Sequence, residues 1–155
     1  MKPPRDKPEN LRVLLVDDDV AVVAALSEVL HGEGFKVIQA SDGHDAIRNF
    51  KATGGADIVL LDLRMPGLNG WETLDWFAWS RPLLPVIIIT ALPDQQAAVE
   101  AAGVGALLEK PLDIPLLLET MRRLLSEPVE ARIARIARIA RIEGKPPSLH
   151  QDKNL

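Results

Sequence analysis

Short runs of apolar residues recur along the chain, and each run is followed by a longer stretch with the apolar spacing of a helix. Three of the runs are nearly continuous Val, Leu and Ile, which is typical of strands covered on both faces in a parallel sheet. The predicted strands span 11–16, 35–39, 57–61, 85–89 and 106–108, and the predicted helices span 20–31, 42–52, 70–80, 94–102 and 113–125. This alternation predicts an α/β fold, a doubly wound five-stranded parallel sheet with helices on both faces.

Several residues fit the ends and faces of these predicted helices. Asp19 and Asp42 precede the first and second helices, where a carboxylate can cap the free backbone amides. Pro128 follows the fifth helix and is expected to end it. Trp76 and Trp79 lie three residues apart on the third helix and are predicted to be packing residues, with an oligomer contact left open.

The composition excludes several kinds of site and location. The chain has 155 residues, 47% of them apolar, and no cysteine, which rules out disulfides, thiolate metal sites and cysteine nucleophiles. Residues 1–10 are polar, are expected to be flexible and lack the apolar core of a signal peptide. No apolar run approaches the ~20 residues of a membrane span, so we expect a cytoplasmic protein without a transmembrane segment.

Charge is unevenly distributed along the chain. Residues 1–127 contain 12 Lys and Arg against 19 Asp and Glu, a net charge of −7, whereas residues 128–155 contain 6 against 3, a net charge of +3. An acidic body with a basic tail argues against nucleic acid as the main partner of the body.

Side chains able to bind metal or phosphate follow the predicted strands. Asp17 and Asp18 come after the first strand, Asp62 after the third, Thr90 after the fourth and Lys110 after the fifth. Because ligands of doubly wound folds bind at the carboxyl ends of the strands, we expect these side chains to converge on one edge of the sheet.

Carboxylates that converge in this way repel one another unless a cation lies between them. At about 4 Å the repulsion amounts to ~1 kcal/mol in water and ~4 kcal/mol at an effective dielectric constant of about 20. Oxygen donors without a nearby His or Cys favour Mg²⁺ over Zn²⁺ as that cation. A carboxylate beside Mg²⁺ and Lys110 is suited to accept a phosphoryl group, since both cations neutralise its oxygens and Thr90 can hydrogen-bond one of them.

The motifs around these residues resemble those of the receiver domain of two-component response regulators, the CheY-like family with a flavodoxin-like fold. The similarity covers residues 11–127, which we predict to form the receiver domain. It rests on Asp17-Asp18, Thr90-Ala91, Lys110-Pro111 and the sequence Leu-Leu-Asp62-Leu-Arg-Met-Pro66-Gly67-Leu-Asn-Gly70, each at the end of the expected strand.

The resemblance implies a set of metal ligands. Asp17, Asp18 and Asp62 would hold Mg²⁺ together with the backbone carbonyl of Arg64. Asp62 would also be the phosphoryl acceptor. The resemblance thus assigns the acceptor and the metal to the same cluster of carboxylates.

The resemblance also implies that Thr90 and Lys110 contact the phosphoryl group and that the Lys110–Pro111 peptide bond is cis. A sensor histidine kinase or a phosphotransfer protein would donate the group, and the modified domain would change its affinity for a downstream protein or for a second copy of itself. Two positions depart from the family pattern. Leu107 replaces an aromatic residue of the usual switch, and Leu92 replaces a residue that is polar in many members, where we expect it to alter water access.

Residues 128–143 contain a three-residue repeat with Arg at 132, 135, 138 and 141 and Ile at 133, 136, 139 and 142. Its composition permits a helix, so we predict a short C-terminal helical tail, followed by a disordered segment over 144–155. Each repeat drifts by about 60° around an α-helix, so the Ile side chains spread over about half the circumference and a coiled coil is not expected. The open alternatives are a loosely attached helix, a helix that packs on a partner or a second copy, and a segment that binds nucleic acid or an anionic membrane.

The predicted function is a stand-alone receiver that catalyses only its own phosphorylation and dephosphorylation. No DNA-binding domain is expected, because the residues after the receiver are too few to form one. The alternative is an interaction module that binds partners without phosphorylation, and Mg²⁺-dependent phosphorylation separates the two. Aspartyl phosphatases of the haloacid-dehalogenase kind need a second Asp two positions after the nucleophile, where this chain has Arg64, so that enzyme class is not expected.

Overall fold

The computed structural model describes residues 10–64, 69–91 and 93–143, with side chains described as far as residue 139. The termini predicted to be flexible and disordered, 1–9 and 144–155, lie outside this part, as do Pro66, Gly67 and Leu92. The strands are β1 (Arg12–Val16), β2 (Lys36–Ala40), β3 (Ile58–Asp62), β4 (Val86–Thr90) and β5 (Gly105–Glu109). The helices are α1 (Val20–Gly32), α2 (Gly43–Ala52), α3 (Gly70–Ser80), α4 (Gln95–Val104), α5 (Ile114–Ser126) and α6 (Val129–Glu143).

The five strands form one parallel sheet in the order β2-β1-β3-β4-β5. Because β1 pairs with both β2 and β3, the winding of the chain reverses at β1, and ligands of such sheets bind beside this point at the carboxyl ends of the strands. The register pairs Val16 with Leu61 and Asp62 with Ile89, so β1, β3 and β4 end at the same edge. The predicted doubly wound fold is confirmed.

Two apolar cores lie on opposite faces of the sheet, because successive residues of a strand point to opposite sides. Leu15 of β1 packs with side chains of α1 and α5, whereas Leu14 packs with side chains of α2, α3 and α4. All residues of β3 and β4 are buried, which explains why their sequences are continuously apolar.

The observed strand bounds differ from the predicted ones by one residue at most ends. Phe35 was expected to open β2, yet it lies outside the strand and is buried at 3% exposure. β5 is longer than expected and begins at Gly105, where a Cβ atom would lie 2.4 Å from the carbonyl oxygen of Val86. Apolar runs mark burial, whereas strand bounds follow backbone pairing, so the two do not coincide.

The prediction for the tryptophans holds for one of them. Trp76 packs edge-on against Phe50 and Phe77, with ring centroids 6.0 and 5.0 Å away, and the ammonium of Lys51 lies 5.5 Å from its ring. Trp79 is 77% exposed, so its predicted packing role is wrong. A three-residue step turns a helical side chain by about 60°, which is enough to leave the buried face.

The predicted C-terminal helical tail is confirmed as α6, which begins directly after Glu127 and Pro128. It is not loosely attached, because Ile139 lies against Gly103 of α4. None of the alternatives raised for the tail included this contact with the chain's own α4. No helix in the described part of the chain is long and apolar enough to cross a membrane.

Candidate functional site

Three carboxylates meet at the carboxyl edge of the sheet. Asp62 is the last residue of β3, and Asp17 and Asp18 directly follow β1, which pairs with β3. One oxygen from each of the three carboxylates lies within 4.8 Å of the others. Asp17 and Asp62 are each only 4% exposed, whereas Asp18 faces solvent. The convergence predicted from the strand ends is confirmed for these residues.

Lys110 joins the carboxylates from the end of β5. Its Nζ donates a hydrogen bond to Oδ2 of Asp62 at 2.9 Å and a longer one to Oδ2 of Asp17 at 3.5 Å. The backbone N–H of Lys110 donates to the carbonyl oxygen of Thr90 at 2.9 Å, which ties the end of β5 to the end of β4. The Lys110–Pro111 bond is cis, as the family resemblance implies.

Backbone amides donate hydrogen bonds to the other oxygen of each buried carboxylate. The N–H of Arg64 donates to Oδ1 of Asp62, and the N–H of Asp19 donates to Oδ1 of Asp17, both at 2.9 Å. Asp19 also caps α1, accepting bonds from the amides of Ala21 and Val22. Its predicted position at a helix start is therefore confirmed. The two amides carry no signal in the sequence, because every residue except proline supplies one.

The electrostatics of the site are unfavourable to the charged form of Asp17. Burial raises the pKa of Asp17, the neighbouring charge of Asp62 raises it further, and the bonds from Asp19 and Lys110 only partly oppose this. Burial alone would lower the pKa of Lys110, but its hydrogen bond and charge interaction with Asp62, together with Asp17, raise it overall. The ammonium group of Lys110 thus bonds two of the three carboxylates.

The chemistry of this donor set fits a hard divalent cation. The cluster offers carboxylate oxygens only, and the solvent-exposed Asp18 lies on its open side. Mg²⁺ prefers oxygen ligands and keeps several waters, so a cluster that is open to solvent on one side suits it. Net negative charge among buried groups is relieved by such a cation.

Thr90 is the last residue of β4 and is 4% exposed, on the strand next to the one that ends in Asp62. Gly70 opens α3 close to the chain that leaves Asp62. A Cβ atom there would lie 2.3 Å from the Cα of Leu63, so only glycine allows this approach. Leu107 lies half-buried in β5, on the face of the sheet that α4 covers.

Comparison with known proteins identifies the same kind of domain. The family described as the response regulator receiver domain matches residues 13–122. The transcriptional regulatory protein ZraR of Salmonella typhimurium is 39% identical over 119 residues, covering 76% of this chain and 27% of ZraR. The DNA-binding transcriptional regulator NtrC of the same organism is 36% identical over 116 residues, covering 74% of this chain and 24% of NtrC. The chain therefore spans about a quarter of the length of these curated relatives.

Solved structures agree with this result. A structure of the CheX-CheY-BeF3-Mg+2 complex from Borrelia burgdorferi is similar at a TM-score of 0.70 and 32% identity, covering 77% of this chain and 92% of that one. The chemotaxis protein CheY4 of Vibrio cholerae is similar at a TM-score of 0.67 and 26% identity, covering 74% of this chain and 98% of that one.

Proposed function

This chain belongs to the response-regulator receiver domain family, and from that premise we propose that it accepts a phosphoryl group on Asp62 in a Mg²⁺-dependent reaction. A sensor histidine kinase or a phosphotransfer protein donates the group. The modified domain then changes its affinity for a downstream protein partner. We place this exchange in the cytoplasm.

The observation that best supports the proposal is the hydrogen bond of 2.9 Å between Lys110 and the buried Asp62. A structural ion pair does not need the further carboxylates of Asp17 and Asp18 in the same cluster. An acceptor site does need them, because the acceptor, the entering phosphoryl oxygens and a divalent cation must meet at one point.

In this proposal, Asp17, Asp18 and Asp62 hold Mg²⁺, with the backbone carbonyl of Arg64 as a further ligand. The ion, when bound, neutralises negative charge on the phosphoryl oxygens as the group is transferred. The amide of Arg64 already fixes the orientation of the Asp62 carboxylate. Asp62 is therefore held in one geometry before any donor arrives.

The transfer forms a bond between phosphorus and a carboxylate oxygen of Asp62 and breaks the bond between phosphorus and the donor's nitrogen or oxygen. Lys110 then balances charge on a phosphoryl oxygen, exchanging part of its contact with the carboxylate for contact with the new group. The hydroxyl of Thr90 donates a hydrogen bond to another phosphoryl oxygen. Water attack on the acyl phosphate later returns free Asp62 and phosphate.

The test is intact-mass spectrometry of the whole chain after incubation with acetyl phosphate, with and without Mg²⁺. We expect wild type to gain one phosphoryl group only when Mg²⁺ is present. Asp62→Asn should gain none. The matched control is Asp57→Asn, which changes an aspartate at the opposite end of the same strand, where its carboxylate accepts the amide of Arg12.

Two results would contradict the proposal. If folded wild type gained no phosphoryl group with Mg²⁺ present, the domain would instead be a phosphate-independent interaction module. If Asp62→Asn were modified as fully as wild type, the acceptor would be a different residue. A loss in Asp57→Asn as complete as in Asp62→Asn would show that the assay reports folding rather than acceptor chemistry.

A further inference from the structure

The C-terminal helix α6 turns different residue types inward along its length. Its repeat has three residues, whereas a helical turn has 3.6, so each repeat rotates by about 60°. Near its start, Arg135 has a side chain only 16% exposed while Ile133 is 52% exposed. Further along, Arg138 is exposed while Ile139 is half-buried. The inward side of α6 therefore changes from arginine to isoleucine.

Charged side chains fix the first turns of α6. Nη1 of Arg135 donates to both carboxylate oxygens of Glu127, at 2.6 and 2.7 Å. The guanidinium of Arg132 donates to the carbonyl oxygens of Leu83, before β4, and Leu124, in α5, at 3.2 and 3.0 Å. The side chains of Glu127, Arg132 and Arg135 are 19%, 17% and 16% exposed. These bonds hold α6 against the amino-terminal end of the sheet.

The later turns of α6 lie on α4. A Cβ atom at Gly103 would be 3.6 Å from Cγ2 of Ile139, so the two residues are in close contact and Gly103 leaves room for the isoleucine. The contact lies at the carboxyl end of α4, whereas its amino end begins at Gln95, shortly after Thr90. A single helix thus connects the region of the site with the surface that α6 covers.

α4 packs on the sheet through small side chains. Its buried side chains are Ala97, Ala101 and Val104, whereas α5 buries leucines and a methionine. Hydrophobic stabilisation grows with the apolar area that is buried, so each alanine of α4 contributes little. The contact of Ile139 with Gly103 adds to what holds α4 in place. Elements with few large buried side chains are among those that move in conformational changes.

We propose that α6 is an intramolecular restraint that holds α4 in its unphosphorylated position, so that release of α6 and phosphorylation of Asp62 favour each other. This inference rests on the proposed function. When Thr90 bonds the phosphoryl group, Thr90 moves, and α4, which begins at Gln95, shifts with it. The shift displaces Gly103 from Ile139 and weakens the docking of α6.

The coupling is reciprocal, because two equilibria that share one element must affect each other equally. If phosphorylation weakens the docking of α6, then weakening the docking must favour the phosphorylated state. A variant of the tail, far from Asp62, should therefore change events at the site. This consequence is specific to the coupling and is not expected of an inert structural helix.

The test uses the repeat itself to supply matched controls in the full chain. Ile139→Asp removes the docked isoleucine, and Ile133→Asp makes the same change at an exposed position of the same helix. Arg135→Gln removes the bonds to Glu127, and Arg138→Gln makes the same change at an exposed arginine. Two quantities are measured for each variant: amide hydrogen exchange across α4 and α6, and the affinity for beryllium fluoride in the presence of Mg²⁺.

We expect Ile139→Asp and Arg135→Gln to speed amide exchange in α6 and to raise the affinity for beryllium fluoride by about fivefold or more, the lower range of typical allosteric couplings. The two controls should stay within about twofold of wild type. Wild type loaded with beryllium fluoride and Mg²⁺, a mimic of the phosphoryl group, should exchange faster in α6 than without them.

The outcomes separate this inference from the proposed function. Faster exchange in α6 without any change in the affinity for beryllium fluoride overturns the coupling and leaves the proposed function intact. Unchanged exchange in both Ile139→Asp and Arg135→Gln overturns the docking itself. Absence of phosphorylation in folded wild type overturns the proposed function, and the coupling with it.

Discussion

Two clusters of charged side chains lie at opposite ends of the sheet and are balanced in opposite ways. At the carboxyl end, Asp17 and Asp62 share the ammonium of Lys110 and Asp18 lies in the same cluster, so negative charge is in excess. At the amino end, two arginines share the carboxylate of Glu127, and one of them also donates to two backbone carbonyls.

The difference shows which cluster supports the fold and which one is built for binding. In the tail cluster, two backbone carbonyls and the carboxylate of Glu127 accept hydrogen bonds from the terminal guanidinium nitrogens of both arginines, although Nε of each arginine makes none. In the site, three carboxylates exceed Lys110 in charge, and the amides of Asp19 and Arg64 offset that excess only in part. Burial, and then the charge of Asp62, raise the pKa of Asp17. Functional sites commonly retain such unfavourable arrangements at the expense of stability.

The largest effect should follow from removing the ammonium group of Lys110. Lys110→Ala leaves Asp62 without its charged partner and the phosphoryl oxygens without a neutralising group. We expect the rate of phosphorylation by acetyl phosphate to fall by about 100-fold, the usual result of losing one preorganised donor. Lys51→Ala, at an exposed lysine beside Trp76, is the control and should phosphorylate at the wild-type rate. A loss below about threefold in Lys110→Ala would mean that charge at the site is not rate-determining.

The second effect is a gain in stability, whereas most substitutions destabilise a protein. Asp17→Asn removes a charge that is disfavoured by its burial and then by repulsion from Asp62, so we expect the Mg²⁺-free chain to become more stable, by about 1 kcal/mol. Urea titration of wild type and variant in the presence of a chelator measures the difference. Asp18→Asn is the control, because Asp18 faces solvent and its replacement should change the free energy of unfolding very little. A destabilised Asp17→Asn would show that the Lys110 bond outweighs burial.

The sequence predicts the carboxyl-end cluster more completely than it predicts the amino-end cluster. Asp62 and Lys110 stand where apolar runs end, and parallel strands bring such positions to one edge whatever the details of packing. The pairing of Arg135 with Glu127 depends instead on the direction in which the chain turns after α5. The period of the repeat predicts how its side chains spread, but not which sector of α6 faces α4. The prediction for Trp79 was wrong for the same reason, since the residues of one helical face depend on neighbours distant in sequence.

The third effect should follow from removing the negative charge of the cluster at the amino end of the sheet. Glu127→Gln leaves Arg135 and Arg132 without their shared carboxylate at side chains that are largely buried, so we expect a loss of about 1 kcal/mol in the free energy of unfolding. Glu119→Gln, at an exposed position of α5, should have little effect in the same urea titration. If Asp17→Asn and Glu127→Gln changed the free energy of unfolding in the same direction, the proposed contrast between the two clusters would be wrong.

The smallest effect is the pH dependence of the stability that Asp17→Asn gains. The folded pKa of Asp17 lies above its unfolded value of 3.8, so the folded chain takes up this proton first and is stabilised as pH falls through the folded pKa. In acid, Asp17 of wild type is protonated, and its buried charge no longer destabilises the chain. The asparagine of the variant does not titrate. The stability difference between variant and wild type should therefore be full at pH 7 and shrink to a few tenths of a kcal/mol, roughly, below pH 3.8. Urea titrations across this range in chelator measure it, and a difference that stays constant with pH would assign the gain to packing rather than to charge.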